Sequence, residues 1–261
     1  MVAPIRKENT DNVIMLSVIN GKLSKKPEVK YNKDGSVNKS HSNKIAGVSS
    51  EVYPFTSEEE IKSIINVFDK RINEASNENK RMIARRDKMI FLIGINLGIR
   101  ASDLCSLRYS FFMEDDGTFK DFYSLQPKKT RKQKKFVKLY FNDVVKKAIS
   151  DYIKEYPVKD INGYIFKSRK GDGPITEKSL WRIIVEVTAE AGINKNVGSH
   201  TLRKTFGRFV WHNAEDKNKS LVILQTIFNH SSQSVTAKYI GLTDNEVSDV
   251  FNELNLGLDF I

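Results

Sequence analysis

From Thr56 onward, apolar residues recur every three or four positions in one segment after another, and the clearest break in that period is a neighbouring pair of short strand-like runs. A chain patterned this way is expected to be mainly α (α+β), with helical stripes sharing a core and one small antiparallel β-sheet. The first stripe is Ile61, Ile64, Ile65, Phe68 and Ile72. Thr56-Ser57-Glu58-Glu59 opens it as a capping box, with Thr56 accepting from the backbone at Glu59 and Glu59 reaching back. A polar link over 76–79 leads to a second helix, about 80–97, with Met82, Met89, Ile90, Ile93 and Leu97 inward. Gly98 ends that helix and Ser102 starts the next, which places Arg100 in the tight joint between them, where Asp103 could brace it. Further helices are predicted over about 142–155, 176–191 with Thr176 as cap, 200–213 and 220–228. A short one carries Tyr239, and a last one over 244–254 is amphipathic through Val247, Val250, Phe251 and Leu254.

The strand-like runs are 119–126 and 136–141, which predict a β-hairpin. Between them Lys128-Lys129-Thr130-Arg131-Lys132-Gln133-Lys134-Lys135 is a basic turn with no acid. Such a run neutralises a nucleic-acid backbone, and one lysine at a hairpin edge can also serve a phosphate as proton donor. Tyr164-Ile165-Phe166 reads as a third strand. Residues 1–50 differ: the stretch over 22–43 is rich in lysine, asparagine and serine and shows no helical or strand period, so this part is expected to be a basic N-terminal arm or linker before a domain over 51–261. Within the arm, the apolar patch over 13–19 is either a strand or a docking segment.

The net charge of +11 points to a polyanionic partner, nucleic acid first. No run approaches the roughly 18 apolar residues of a membrane span and the start lacks a signal peptide's pattern, so no membrane partner and a cytoplasmic location are expected. A lone cysteine, Cys105, excludes an intrachain disulfide and a cysteine-cluster metal site, and its place in a helical stripe reads as core. The four histidines form no metal motif, and Gly171-Asp172-Gly173-Pro174 is too short for a phosphate loop. No metal and no cofactor are therefore expected.

One constellation remains. His200-x-x-Arg203 places two side chains on one helical face, where both can meet one anion. With Arg100, a lysine of the basic turn, His230 and Tyr239, the chain holds what metal-free phosphoryl transfer requires: two permanent cations for the nonbridging oxygens, a base, an acid for the departing oxygen and a phenol as nucleophile.

These motifs resemble the tyrosine recombinases, also called phage integrases, over about residues 51–261. The likeness rests on Gly98-Ile99-Arg100-Ala101-Ser102-Asp103-Leu104, Lys128-Lys129-Thr130, His200-Thr201-Leu202-Arg203, and Asn229-His230-Ser231-Ser232 with Thr236 and Tyr239. It implies a helical catalytic domain of the DNA breaking-rejoining type. By that resemblance Arg100 and Arg203 clamp the scissile phosphate, Lys129 is the general acid, His200 the base, His230 a further phosphate contact and Tyr239 the nucleophile that forms a 3′-phosphotyrosyl bond. Lys129 is preferred to Lys128, Lys132 and Lys134 because it precedes a threonine at the end of the first strand. Lys128, Arg131, Lys132, Lys134 and Lys135 are expected along the DNA. The partner implied is double-stranded DNA, bound by a homotetramer linked through the helix over 244–254, with a monomer as the alternative without DNA. The setting implied is a bacterium, phage or mobile element, and the activity site-specific recombination, as in integration or excision. The alternatives are a type IB topoisomerase and a DNA-binding protein without catalysis. Most of the family carries a separate helical DNA-clamping domain, for which the first 50 residues are too short; this chain is expected to be either part of a longer protein or a minimal recombinase.

Overall fold

The computed structural model describes residues 51–129, 136–169 and 171–242, together with the backbone of residues 16–19 and 22–25. Arg131, Lys132, Lys134 and Lys135 of the basic turn, the helix expected over 244–254 and most of the expected arm lie outside the described residues. The chain divides into two units, Met1–Glu51 and Val52–Ile261. In the first, β1 (Leu16–Ile19) pairs antiparallel with β2 (Lys22–Lys25), Leu16 opposite Lys25. Strand β2 begins the stretch read above as having no strand period. Asn20-Gly21, a strong hairpin signal between two β-capable runs, is the sequence feature that reading passed over.

The second unit is built from helices. In α1 (Glu58–Asn73) the cap is Ser57, which accepts from the Glu60 backbone, while the Glu60 carboxylate accepts from the Thr56 N–H at 2.8 Å. The box therefore sits one residue later than the Thr56 and Glu59 pairing expected, because Lys195 holds the Glu60 carboxylate at 2.6 Å and fixes it as the returning arm. Helix α2 (Glu78–Leu97), capped by Asn77, starts two residues before the expected position. It is the central element, packed by α1, by α4 (Asp143–Glu155) and by α6 (Thr201–Asn213).

After the short α3 (Ala101–Cys105), strands β3 (Phe122–Leu125) and β4 (Val137–Tyr140) pair antiparallel with Leu125 opposite Val137. The pair is shorter than the sequence runs, since Phe119 instead bridges back to Met113. Tyr164-Ile165-Phe166 is not a strand: Tyr164 makes a single bridge to Arg108 and Ile165 N–H donates to Leu107 O, where two loops cross once. Helix α5 (Glu177–Glu190) is capped by Thr176 as expected, α7 (Lys217–Phe228) by Asp216, and α8 (Gln233–Tyr239) by Ser232. Helix α7 begins three residues before the expected Ser220, because its solvent-facing first turn, Lys217-Asn218-Lys219, has no apolar residue to announce it.

Two apolar clusters result. The larger joins α1 to α5, the hairpin and Leu202 of α6, and includes Cys105 as the sequence suggested. The smaller is Leu224, Phe228 and Ile240, with Phe206 and Tyr239 against it. Helix α6 thus lies in the seam, close to its neighbours on both sides. At Gly98, which ends α2 in the left-handed region at φ 58°, an added Cβ would lie 2.2 Å from Phe206 Cδ1. At Gly207 it would lie 2.6 Å from Ile240 Cγ2.

Gly98→Ala should therefore destabilise the domain by about 2–4 kcal/mol, combining left-handed strain with overpacking. Urea unfolding of the two proteins measures it, and an unchanged midpoint would contradict the close approach of α6.

Candidate active site

Helix α6 buries a face that is largely polar: Thr201, Arg203, Lys204 and Thr205 are all within 6% of full burial. Polar groups are carried inward only where partners or a function hold them. Arg203 is 5% exposed, donates through Nη1 to Gly98 O at 2.6 Å and through Nη2 to Phe228 O at 3.0 Å, and stacks its guanidinium 4.2 Å from the Phe228 ring centre. Both acceptors are carbonyls at helix C-terminal ends, of α2 and α7, where the helix dipole favours a cation. Arg100, the residue preceding α3, reaches the same Phe228 carbonyl through Nη2 at the long distance of 3.5 Å. Two guanidinium groups thus converge on one helix end. Burial lowers the Arg203 pKa to about 10, and Arg100 opposes its charge while Tyr239 and Asp103 favour it. It remains a cation at neutral pH.

Asp103 does not brace Arg100. Its carboxylate accepts the Lys128 backbone N–H at 3.0 Å, and the Lys128 ammonium donates to Ser102 O at 3.2 Å. The base of the basic turn is thereby tied to the joint that carries Arg100. Lys129 follows, exposed and with no hydrogen bond or ion pair among the described residues, whereas the Lys128 amine is engaged.

Asn229 ends α7 in the left-handed conformation, φ 51°, the only non-glycine residue described at positive φ. That cap turns the chain so that His230 enters the site and Ser232 starts α8. His230 Nδ1 lies 3.2 Å from Oγ1 of the fully buried Thr236, which fixes the ring, and its ring centre is 5.0 Å from that of Tyr239 in an edge contact. Phe228 meets the Tyr239 ring the same way at 5.4 Å. His200, the N-cap of α6, places Nδ1 3.3 Å from the Tyr239 hydroxyl.

The titration of these groups follows from their surroundings. Burial pushes the Tyr239 phenol above its ordinary range, against the lowering fields of Arg203 and Arg100, so the phenol is protonated at neutral pH. His200 is held below its ordinary value by desolvation on its inner side and by Arg203, with smaller contributions from Lys204 and Arg100 against Glu177. His230 is lowered to about 4 by burial, Arg203 and Arg100. Both imidazoles are neutral at pH 7. A neutral imidazole 3.3 Å from a protonated phenol can accept its proton.

The structure thus brings Arg100, His200, Arg203, His230 and Tyr239 together. Sequence reasoning missed two residues that support the elements carrying them: Thr205, whose Oγ1 accepts the buried Phe55 N–H at 2.9 Å, and Asp103 in its actual role. The available signal was the run Thr201-Leu202-Arg203-Lys204-Thr205, too polar for an ordinary buried helix face. A cleft of about 790 Å³ lined by Met82, Arg108, Tyr109 and Tyr152 contains none of the site residues. Among the described residues no group of three histidine, cysteine or acidic side chains could hold a metal ion, and no helix is long and apolar enough to cross a membrane.

The family model described as the phage integrase family matches residues 54–246. "Probable integrase/recombinase YoeC" of Bacillus subtilis (strain 168) is 36% identical over 169 residues, covering 65% of this chain and 82% of that protein. "Tyrosine recombinase XerA" of Pyrococcus furiosus is 27% identical over 201 residues, covering 76% of this chain and 61% of that protein. Among solved structures, XerA recombinase superposes with a TM-score of 0.56 at 22% identity, over 80% of this chain and 66% of that one. XerH site-specific recombinase bound to palindromic difH substrate, a post-cleavage complex, gives 0.56 at 18% identity over 79% and 54%. The chain therefore spans less than two thirds of XerA from P. furiosus and only part of XerH.

His230 lends itself to a direct test. Its folded pKa of about 4 lies below the ordinary 6.5, so the unfolded chain binds the proton first. The stability contributed by neutral His230 is complete above pH 6.5 and is lost as pH falls through the window down to about 4. Proton NMR should show the His230 ring titrating near pH 4, and His230→Gln should flatten the loss of urea stability between pH 7 and 4.5.

Proposed function

The chain belongs to the phage integrase family, and on that premise we propose that it is a site-specific DNA recombinase that cuts and rejoins duplex DNA through a 3′-phosphotyrosyl intermediate, as in integration or excision of a mobile element. The observation that carries this reading is the Tyr239 hydroxyl 3.3 Å from His200 Nδ1, beside the two guanidinium groups at the end of α7. Arg203 and Arg100 bind the nonbridging oxygens of the scissile phosphate, where charge accumulates in the transition state. Tyr239 attacks phosphorus as its proton passes to His200. The bond from phosphorus to the 5′ oxygen breaks, and Lys129 gives that oxygen a proton, leaving a free 5′-hydroxyl. His230, oriented by Thr236, completes the phosphate cradle. A 5′-hydroxyl from a partner strand then attacks the phosphotyrosyl linkage and gives its proton to Lys129, Tyr239 leaves with a proton returned from His200, and the number of phosphodiester bonds is conserved.

Charge of +11 favours double-stranded DNA as the partner, and XerH, a structural neighbour, was solved on difH substrate. Lys128, Arg131, Lys132, Lys134 and Lys135 follow the backbone in this reading. Four protomers assemble on two duplexes through residues 244–254, in the cytoplasm of a bacterium carrying the phage or element. The named relatives are recombinases, which favours this reading over supercoil relaxation or DNA binding without catalysis.

Tyr239→Phe should abolish the covalent adduct on a suicide DNA substrate while leaving DNA affinity within about twofold, since only one hydroxyl is removed. An adduct that survived in this variant would refute the nucleophile assignment. Arg203→Lys should slow adduct formation by about 100-fold or more, because an ammonium cannot replace the two-pronged guanidinium.

A further inference from the structure

The solvent face of α5 carries Trp181, which is 47% exposed, unusually open for a tryptophan. A Cβ built on Gly198 would lie 3.2 Å from Trp181 Cδ1 and 3.5 Å from its Nε1, so the N–H edge of the indole lies against that glycine. Gly198 comes two residues before His200, and two bonds close its turn: its N–H donates to Thr201 Oγ1 and its carbonyl accepts the Thr201 N–H, each at 3.0 Å. Trp181 therefore packs on the turn that delivers His200, and its own N–H has no acceptor among the described residues. Lys178 precedes Trp181 by three positions and Arg182 by four, so it neighbours both on the helix surface. Both cations are exposed, and neither makes a hydrogen bond or ion pair among the described residues. Leu180, Ile183, Ile184 and Val187 take the buried side, and Glu186, one turn beyond Arg182, ends the strip.

We propose that Lys178, Trp181 and Arg182 form a contact strip for the DNA backbone that seats the duplex beside the scissile phosphate, with the indole N–H donating to a phosphate oxygen and the two cations meeting phosphates of the same strand. This rests on the reading of the chain as a DNA recombinase with His200 in its site. The three side chains offer hydrogen-bond donors and no acceptor, which suits a row of phosphate oxygens. An apolar partner would leave both cations without a counter-charge. Phosphates recur along each strand about every 3.4 Å of helix axis, so a strand with one phosphate at His200 carries others past a helix packed on the same turn. Contacts of this kind fix register and orientation without reading sequence. The strip would thereby raise the share of encounters in which the scissile phosphate faces Tyr239.

The chain has two tryptophans, Trp181 and Trp211, so the full-length Trp211→Phe protein reports on Trp181 alone. The probes are two dye-labelled duplexes of about 30 base pairs and unrelated sequence, with binding followed by anisotropy as salt is varied. Bound to either duplex, Trp181 should lose about half or more of its quenching by acrylamide, because the backbone covers it. Lys178→Gln with Arg182→Gln should weaken binding about tenfold and lower the slope of log affinity against log salt by about 1.8, the value for two phosphate contacts. Trp181→Phe keeps a ring on Gly198 but removes the N–H, and should weaken both complexes about fivefold with an unchanged urea midpoint. Bound DNA that leaves Trp181 as open to acrylamide as before overturns the proposal, as does an unchanged salt slope in the double variant. Parent affinity in Trp181→Phe overturns the indole bond, and a loss confined to one duplex overturns the backbone assignment in favour of base reading. Should Trp181→Phe lose stability, the Trp211→Phe titration, in which the strip is intact, decides. A parent protein that bound neither duplex would instead count against the recombinase reading itself.

Discussion

The site depends on where one guanidinium finds its acceptors. Arg203 is buried, and among the described residues no side-chain carboxylate is bonded to it; it donates to the carbonyls of Gly98 and Phe228, with the Tyr239 hydroxyl also beside it. A carboxylate would have neutralised the charge. Carbonyls at helix ends offer directed hydrogen bonds and a partial negative charge, which orient the fork and leave most of its positive potential available. A binding site for a phosphodiester needs that surplus. The same choice links catalysis to architecture, since holding Arg203 requires the ends of α2 and α7 to meet beside α6. Those approaches depend on Gly98 and Gly207, where a Cβ would displace Phe206 or Ile240.

The second consequence concerns order along the chain. Residues of the site come from Arg100 to Tyr239, and all but Arg203, in the first turn of α6, are delivered by element termini: Arg100 before α3, His200 at the start of α6, His230 just after α7, Tyr239 at the end of α8. Termini have unsatisfied backbone groups and abrupt changes of direction, so they can aim side chains from several helices at one point. Asp103 extends this to the hairpin by tying the Lys128 backbone to the Arg100 joint. Thr205 extends it to the start of the domain through the Phe55 N–H.

Much of this was legible in the sequence because caps and periods are local. Gly98, Thr176 and the stripes of α1, α2 and α5 announce themselves within a few residues, and the spacing of His200 and Arg203 fixes their shared face. The errors have equally physical origins. Thr56 and Ser57 can both cap a helix, and only Lys195, distant in sequence, decides which glutamate closes the box. The first turns of α2 and α7 face solvent and carry no apolar signal. The acceptors of Arg203 are backbone carbonyls, which have no residue identity, so no motif could have named them. Asp103 was assigned the nearest arginine when its partner was a backbone N–H 25 positions away.

The protonation of the site without DNA is informative about how it starts. Burial outweighs the surrounding cations and keeps the Tyr239 phenol protonated, while the same cations and burial keep His200 and His230 neutral. A bound phosphodiester brings negative charge among these groups. It would raise the phenol's pKa further, which argues against a free phenolate waiting for its target. It would raise the His200 pKa too, and so make that imidazole a stronger acceptor at the moment a scissile phosphate is present. In the proposed reaction the proton therefore leaves Tyr239 for His200 only as the oxygen attacks. The phenol thus keeps its proton until it attacks, beside two imidazoles that are neutral and free to accept it.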